Sequence, residues 1–379
     1  MFDQSLAMKH FLNRRVVESL KLRTVLAACL AVGAWLPWSL RAETAPLPLP
    51  VPPTDANIRY VGRFDTRDQA GPRCAWSAST VALKFRGTAL NVQVKEQGHN
   101  FWQVVVDGKP TEVLELQGGE HLYAVAAGLP EGEHTVELVK ATEGHVGVTQ
   151  FTGFQLSAGG KLLPVPARAR SIEVIGDSIS CGYGNMAASK EEHFTPRTEN
   201  AYYTYGAIAA RQVGADYVCV AFSGKKMWPD NTLPELYDRA LTFDGSSQWS
   251  FSKSTPDVVV INLATNDFGR KNPEEAGWIG AYKAFIRRLR GHYPKARIYC
   301  AIGTMMGDWG ANKPLTTVRG YLAKVVADCA AAGDTQVQII DFGVQDMKNG
   351  IGADWHPSRK THEIMGDKLA ATLRKDLGW

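Results

Sequence analysis

The sequence predicts an α/β protein in which a parallel sheet flanked by helices follows a small all-β domain of jelly-roll or sandwich type. Between residues 58 and 156 short apolar runs alternate with polar positions, turn residues recur about every ten positions, and no long helical pattern intervenes. Beyond residue 169 the rhythm changes to apolar strands separated by helical patterns, the signature of a parallel sheet covered on both faces. The chain has 379 residues, 45% hydrophobic and 21% charged, enough for two domains with cores of their own.

The first segment reads as an export signal. Lys21 and Arg23 precede an apolar run from Val25 to Leu40, and Leu40-Arg41-Ala42 offers a cleavage site, so residues 1–42 are expected to be a signal peptide. The run is shorter than the ~20 residues of a spanning helix and contains Pro37, which disfavours a membrane anchor. Leu26-Ala27-Ala28-Cys29 resembles a lipidation box, but Arg23 lies too close to it. The expected destination is secreted or periplasmic, without stable membrane association after cleavage. Lys9, Arg14, Arg15, Lys21, Arg23 and Arg41 against Asp3 and Glu18 carry the whole formal charge of +4. The remainder is neutral, which gives no indication of a nucleic-acid or anionic-membrane partner.

Residues 43–56 are proline-rich and read as an extended linker. The β-domain is placed at 57–160. Within it Val81, Leu83 and Phe85 alternate, then Leu90, Val92 and Val94, and Val104 and Val106 lead into the turn pair Asp107-Gly108. Ala158-Gly159-Gly160 opens a boundary, and the second domain is placed at 169–379. Its strands are expected near 172–175, 217–222, 257–263, 297–302 and 337–341, and its helices near 201–213, 276–292, 316–332 and 360–377. Cys74, Cys181, Cys219, Cys300 and Cys329 remain after the leader; an odd count without paired spacing argues against a disulfide framework and a zinc cluster. No metal or cofactor is expected.

Each chemically suggestive residue falls just after one of these strands, where ligands of such sheets bind. Gly176-Asp177-Ser178 follows the first strand and puts a hydroxyl at the sheet mouth. A serine needs a base to become a nucleophile. Asp354-Trp355-His356, just before the last helix, offers His356 as that base and Asp354 to orient it. A backbone carbonyl is the other group able to hold the ring. Gly224 in Phe222-Ser223-Gly224 and Asn266 in Thr265-Asn266-Asp267 end the next two strands, and together with the Ser178 N–H they are candidate oxyanion donors. Asp177 reads as a loop-fixing group rather than a reactant.

The order Ser178, Gly224, Asn266, His356 resembles the SGNH/GDSL hydrolases, whose four invariant roles map onto these positions. One departure is Ala264-Thr265-Asn266-Asp267, where the family usually has glycine first. The Gly-x-Ser-x-Gly elbow of α/β-hydrolases is absent. A narrower resemblance is to carbohydrate esterase family 2. It rests on Gly176-Asp177-Ser178-Ile179-Ser180-Cys181-Gly182-Tyr183-Gly184, Ser223-Gly224-Lys225 and Asp354-Trp355-His356-Pro357-Ser358, with Val61-Gly62-Arg63-Phe64 and Lys84-Phe85-Arg86-Gly87-Thr88 in the β-domain. That resemblance implies a metal-independent serine acetylesterase acting on polysaccharides of xylan or glucomannan type, with a preference for a 6-hydroxyl. Loop aromatics are the candidate sugar platforms: Trp309 and Trp355 first, then Trp228 and Tyr183. Two other readings stay open: an O-acetylesterase of bacterial cell-wall or exopolysaccharide or a lipid esterase, and a non-catalytic carbohydrate-binding protein.

Overall fold

The structure, a computed structural model, describes residues 48–379. The signal-peptide expectation for 1–42 lies outside the described residues. The N-terminal part is a β-sandwich of strands β1 (Leu49–Val51), β2 (Arg59–Val61), β3 (Arg73–Cys74), β4 (Thr80–Arg86), β5 (Leu90–Gly98), β6 (Phe101–Val106), β7 (Lys109–Glu115), β8 (Gly119–Ala126), β9 (Glu133–Lys140), β10 (Gly147–Leu156) and β11 (Lys161–Leu163). One sheet has the order β1-β10-β5-β8 with β3 on β10; the other runs β11-β4-β9-β6-β7 with β2 on β4. Alternation sets which face is buried: Val81, Leu83 and Phe85 of β4 meet Leu90, Val92 and Val94 of β5 in one core with Trp102, Phe151 and Phe154. The Asp107-Gly108 turn has both residues at positive φ (48° and 74°), as a two-residue hairpin requires.

The linker expectation for 43–56 needs correction within the described residues, 48–56. Leu49–Val51 pairs with Phe154–Leu156 and so belongs to the sandwich. Lys161–Leu163 pairs with β4, which carries the sandwich past residue 160. Proline is tolerated in β1 because that strand lies on a sheet edge.

The second part is a five-stranded parallel sheet in the order β13-β12-β14-β15-β16, from β12 (Arg170–Gly176), β13 (Ala215–Ala221), β14 (Val258–Asn262), β15 (Arg297–Ile302) and β16 (Val337–Asp341). A short helix α1 (Ser178–Cys181) follows β12, and the longer helices are α2 (Tyr205–Val213), α3 (Glu275–His292), α4 (Pro314–Ala331) and α5 (Arg359–Leu377). The strands read as continuous apolar runs because both faces are covered. Val258 and Val260 pack with Tyr205, Val213, Leu369 and Leu373 of α2 and α5. Val259 and Ile261 pack with Trp278, Tyr282, Leu289 and Leu322 of α3 and α4. The helix expected over 201–213 is broken: Asn200 caps the Tyr202 N–H of a separate 3-10 turn, and α2 begins only after Thr204, which is extended.

The two parts share buried side chains. Trp76 of the sandwich sits in the core of the parallel domain, and its Nε1–H donates to Arg239 O at 3.1 Å. Arg63, also from the sandwich, is fully buried, donates to Tyr237 O, stacks over the Tyr237 ring at 4.5 Å and lies 3.5 Å from the Glu173 carboxylate of β12.

Candidate active site

The strand-end register brings the sequence-selected groups together. β12 ends at Gly176, where an added Cβ would lie 2.1 Å from Ser180 Oγ, so the chain turns tightly into α1. The buried Asp177 caps that turn by accepting from the Ile179 N–H at 3.1 Å. Burial, with some repulsion from Asp267, pushes its carboxyl up to about 7 despite that bond. Ser178 then stands first in the helix, where its N–H has no intrahelical acceptor. Its Oγ lies 2.8 Å from His356 Nε2.

His356 Nδ1 lies 3.2 Å from Ala353 O and 3.2 Å from Asp354 O. These carbonyls accept from Nδ1–H and so select the tautomer whose Nε2 lone pair faces the serine. Asp354 and Trp355 both lie in the left-handed region (φ 49° and 68°), a conformation that costs each of them ~1–3 kcal/mol and that surrounding contacts must enforce. The Gly352 N–H donates to His356 O, the Ala353 N–H to Gly184 O and the Asp354 N–H to Glu192 O, at 2.8, 3.0 and 3.2 Å. Gly184 is required for this docking, since a Cβ there would fall 2.4 Å from Ala353 Cβ. Burial holds the imidazole below its usual range, partly offset by the two carbonyls.

The expected role of the Asp354 carboxylate is therefore corrected. It accepts from the Tyr183 hydroxyl (3.0 Å), the Phe194 N–H (3.0 Å) and His193 Nδ1 (2.8 Å), and has no hydrogen bond to His356. The His193 bond leads the effects that lower its pKa. The side chain clamps the 186–195 loop, while the same residue's carbonyl serves the histidine.

On the other side of the serine, Phe222 to Lys225 form a reverse turn closed by Lys225 N–H to Phe222 O at 3.3 Å, with Gly224 at φ 77°, as its third position demands. Asn266 Nδ2 donates to Lys225 O at 2.9 Å and lies 3.4 Å from Asp177 Oδ2, which ties the second and third strand ends to the serine turn. Asp267 accepts from the Met227 and Trp228 N–H groups and from Trp278 Nε1, at 3.1, 3.0 and 2.9 Å, and burial raises it to about 6.

The aromatic candidates divide. A cleft of ≈ 840 Å³ next to this turn is lined by Gly224, Trp228, Asn266, Arg270 and Asn272, so Trp228 is at hand for a ligand. Trp309 and Trp355 are exposed, and Lys190 Nζ stands 4.5 Å over the Trp355 ring. Tyr183 is half-buried beside the base: its ring lies 4.3 Å from Phe194 and 4.1 Å from His356, and its hydroxyl is bonded to Asp354. Sequence reasoning missed Glu143 and His145, in the sandwich connection between β9 and β10. Glu143 accepts from the Ser223 N–H at 2.8 Å and from the Ser223 hydroxyl. His145 lies 5.7 Å from Phe194 and 6.0 Å from Phe222. Neither residue belongs to a spaced motif; only the fold brings them to the site.

Residues 60–166 match the family profile described as carbohydrate esterase 2 N-terminal, and residues 174–364 that of the GDSL-like lipase/acylhydrolase family. The chain is 42% identical over 329 residues to a cellulase/esterase, CelE, from Acetivibrio thermocellus; the match covers 85% of this chain and 40% of CelE, so the chain spans about two fifths of that relative. It is 27% identical over 342 residues to an acetylxylan esterase/glucomannan deacetylase of Cellvibrio japonicus, covering 86% of this chain and 90% of that protein. A solved family two carbohydrate esterase from Clostridium thermocellum, in complex with cellohexaose, superposes with a TM-score of 0.81 at 42% identity, covering 85% of this chain and 99% of that one. With both of its parts matched and a solved member covered almost end to end, the chain belongs to carbohydrate esterase family 2.

Proposed function

We propose that the chain is a secreted or periplasmic serine esterase that removes O-acetyl groups from plant-type polysaccharides, of xylan or glucomannan type and with preference for a primary hydroxyl. The observation that carries the reading is the 2.8 Å contact between Ser178 Oγ and His356 Nε2 at the strand ends. The names of the Cellvibrio relatives support the substrate class. The leader-like residues 1–42 support export.

In the mechanism, His356 takes the Ser178 proton as Oγ attacks the acetyl carbonyl, with Nδ1–H held by the carbonyls of Ala353 and Asp354. The oxyanion is met by the N–H groups of Ser178 and Gly224 and by the Asn266 amide, which exchanges its long 3.4 Å contact with Asp177 Oδ2 for the oxyanion while keeping its bond to Lys225 O. The Gly224 N–H donates to no group among the described residues. The imidazolium returns its proton to the departing sugar oxygen, and water activated by the same histidine releases acetate from the acyl-enzyme.

The test is acetate release from acetylated xylan and acetylated glucomannan by the wild type and Ser178→Ala, with EDTA present. Chelator-resistant release that vanishes in the variant is expected. Turnover of simple acetyl esters without release from either polymer sinks the substrate assignment, and release that persists in Ser178→Ala sinks the mechanism. A second reading is supported by the cellohexaose complex of the 42% identical relative. On that reading the cleft beside Gly224 and Trp228 also holds unacetylated β-glucan, which should then inhibit deacetylation competitively.

A further inference from the structure

We propose that Glu143, contributed by the β-sandwich, is a positioning residue for the oxyanion hole: by bonding the Ser223 N–H and hydroxyl it sets the turn so that the next N–H, that of Gly224, faces the substrate. The inference rests on the esterase reading above and deepens it.

The turn has four backbone N–H groups, and three are committed. Phe222 N–H donates to Gly176 O at 3.2 Å, Ser223 N–H to Glu143 Oε2 at 2.8 Å, and Lys225 N–H to Phe222 O at 3.3 Å. Only the Gly224 N–H has no acceptor among the described residues. Its flanks are also fixed, because Gly224 O accepts from Asn231 Nδ2 at 3.1 Å and Lys225 O from Asn266 Nδ2 at 2.9 Å. A flip of the peptide plane between Ser223 and Gly224 would reverse the direction of the free N–H. Glycine at φ 77°, with nothing within 4 Å of an added Cβ, offers little resistance to such a flip. The carboxylate grips the turn from the residue just before that plane, with two charge-assisted bonds to one serine.

Glu143 is itself held firmly. It is fully buried, its N–H donates to Glu199 Oε2 at 2.8 Å, and Lys140 Nζ donates to Thr142 O and Glu143 O at 2.8 and 3.2 Å. Ala201 N–H donates to Ala141 O at 2.8 Å. Gly144 allows the connection to press against the parallel domain, since a Cβ there would fall 2.4 Å from the Thr242 methyl. Burial opposes ionisation of Glu143, yet bonds from His145 and Ser223 outweigh it and keep the carboxyl below its ordinary range. The neighbouring Glu199 goes the other way: burial and the Glu143 charge raise its carboxyl well above the ordinary range. The sandwich thus supplies part of the catalytic frame.

The test uses the full chain, with kcat and KM for p-nitrophenyl acetate and the rate of inactivation by diethyl p-nitrophenyl phosphate, whose phosphoryl oxygen occupies the oxyanion site. Loss of one oxyanion donor costs ~10²–10³ in turnover. Glu143→Ala, expressed per folded molecule, should lose about 10²-fold in kcat with KM within about 2-fold, and inactivation should slow in parallel. Glu143→Gln should recover most of the loss, because its amide can accept from the Ser223 N–H and donate to the Ser223 hydroxyl. A folded Glu143→Ala with kcat and inactivation rate within about 2-fold of wild type overturns the inference, as does a loss that the amide leaves unrepaired. If Glu143→Ala does not fold, Ser223→Ala decides: a fall of about 5-fold or more in kcat is expected, and an unchanged kcat overturns. Inactive wild type, or a Ser178→Ala variant as active as wild type, refutes the esterase reading and this inference together. An active wild type with dead Ser178→Ala and unaffected Glu143→Ala refutes this inference alone.

Discussion

Asp354→Asn separates a histidine held by carbonyls from one held by a carboxylate. Where a carboxylate does bind the catalytic histidine, exchanging it for the amide costs about 10⁴ in kcat, because the ring is left in the wrong tautomer. Here the bonds to Nδ1 come from the backbone oxygens of Ala353 and Asp354, which the substitution leaves in place. What changes are the side-chain bonds to Tyr183, Phe194 and His193. The amide oxygen can keep some of these, and the solvent-exposed His193 pair is worth ~1 kcal/mol at most. Losing one further bond, to Tyr183 or Phe194, costs ~1 kcal/mol. The total, about 2 kcal/mol, falls on the 186–195 loop and reaches His356 only through the Tyr183 ring 4.1 Å away. We expect kcat for p-nitrophenyl acetate to fall less than about 10-fold, with a lowered melting temperature. A folded variant that has lost 10³ or more would refute the argument and return Asp354 to the base.

Other expectations follow from the same geometry. Asn266→Ala should stay folded and lose ~10²–10³ in turnover; near-normal kinetics would remove Asn266 from the oxyanion hole. The kcat–pH profile should rise through the lowered pKa of His356, because the base must be neutral, and so on the acid side of the usual ~6.5. A second inflection near 7 is expected from Asp177, which ionises there facing the Asn266 amide. Asp177→Asn, which keeps a capping oxygen for the Ile179 N–H, should abolish that inflection alone; its persistence would assign it elsewhere. Arg63→Met leaves the Glu173 carboxylate buried without its cation and should cost ~3–5 kcal/mol. Sandwich and parallel domain should then unfold together at a lower urea midpoint, whereas an unshifted midpoint would show that the Arg63 contacts carry no stability.

Local chemistry made much of this molecule legible. Strand positions follow from short apolar runs such as Val258–Ile261, buried on both faces, and the nucleophile from a Gly-Asp-Ser at a strand end. Spacing cannot tell which atom of a residue does the work. Asp354 is two residues from His356, which suggests a carboxylate–imidazole pair, but two successive left-handed residues curl the chain so that its carbonyl, not its carboxylate, meets the ring. Glu143 was illegible for a different reason: it lies 80 residues from Ser223 along the chain, in a different domain, and a lone glutamate in a strand connection carries no pattern. The proline-rich segment misled because an edge strand tolerates proline as readily as a linker does.

A base held by carbonyls also shifts where the transition state must be stabilised. A carboxylate bonded to the ring would offset the positive charge on the imidazolium directly; two carbonyl oxygens and the more distant charges of Asp354 and Glu143 do so only in part, and burial outweighs them. More of the stabilisation then has to come from the oxyanion side, which fits a Gly224 turn tied down by Gly176, Glu143, Asn231 and Asn266. The leaving group provides the test. A p-nitrophenolate departs without a proton, whereas a sugar alkoxide needs the one His356 carries. His356→Ala should therefore lose at least ~10-fold more activity on an acetylated sugar than on p-nitrophenyl acetate, while Asn266→Ala should lose similar factors on both, because the oxyanion forms in either case. Equal losses on the two esters in His356→Ala would mean that proton return to the leaving oxygen is not part of this histidine's work.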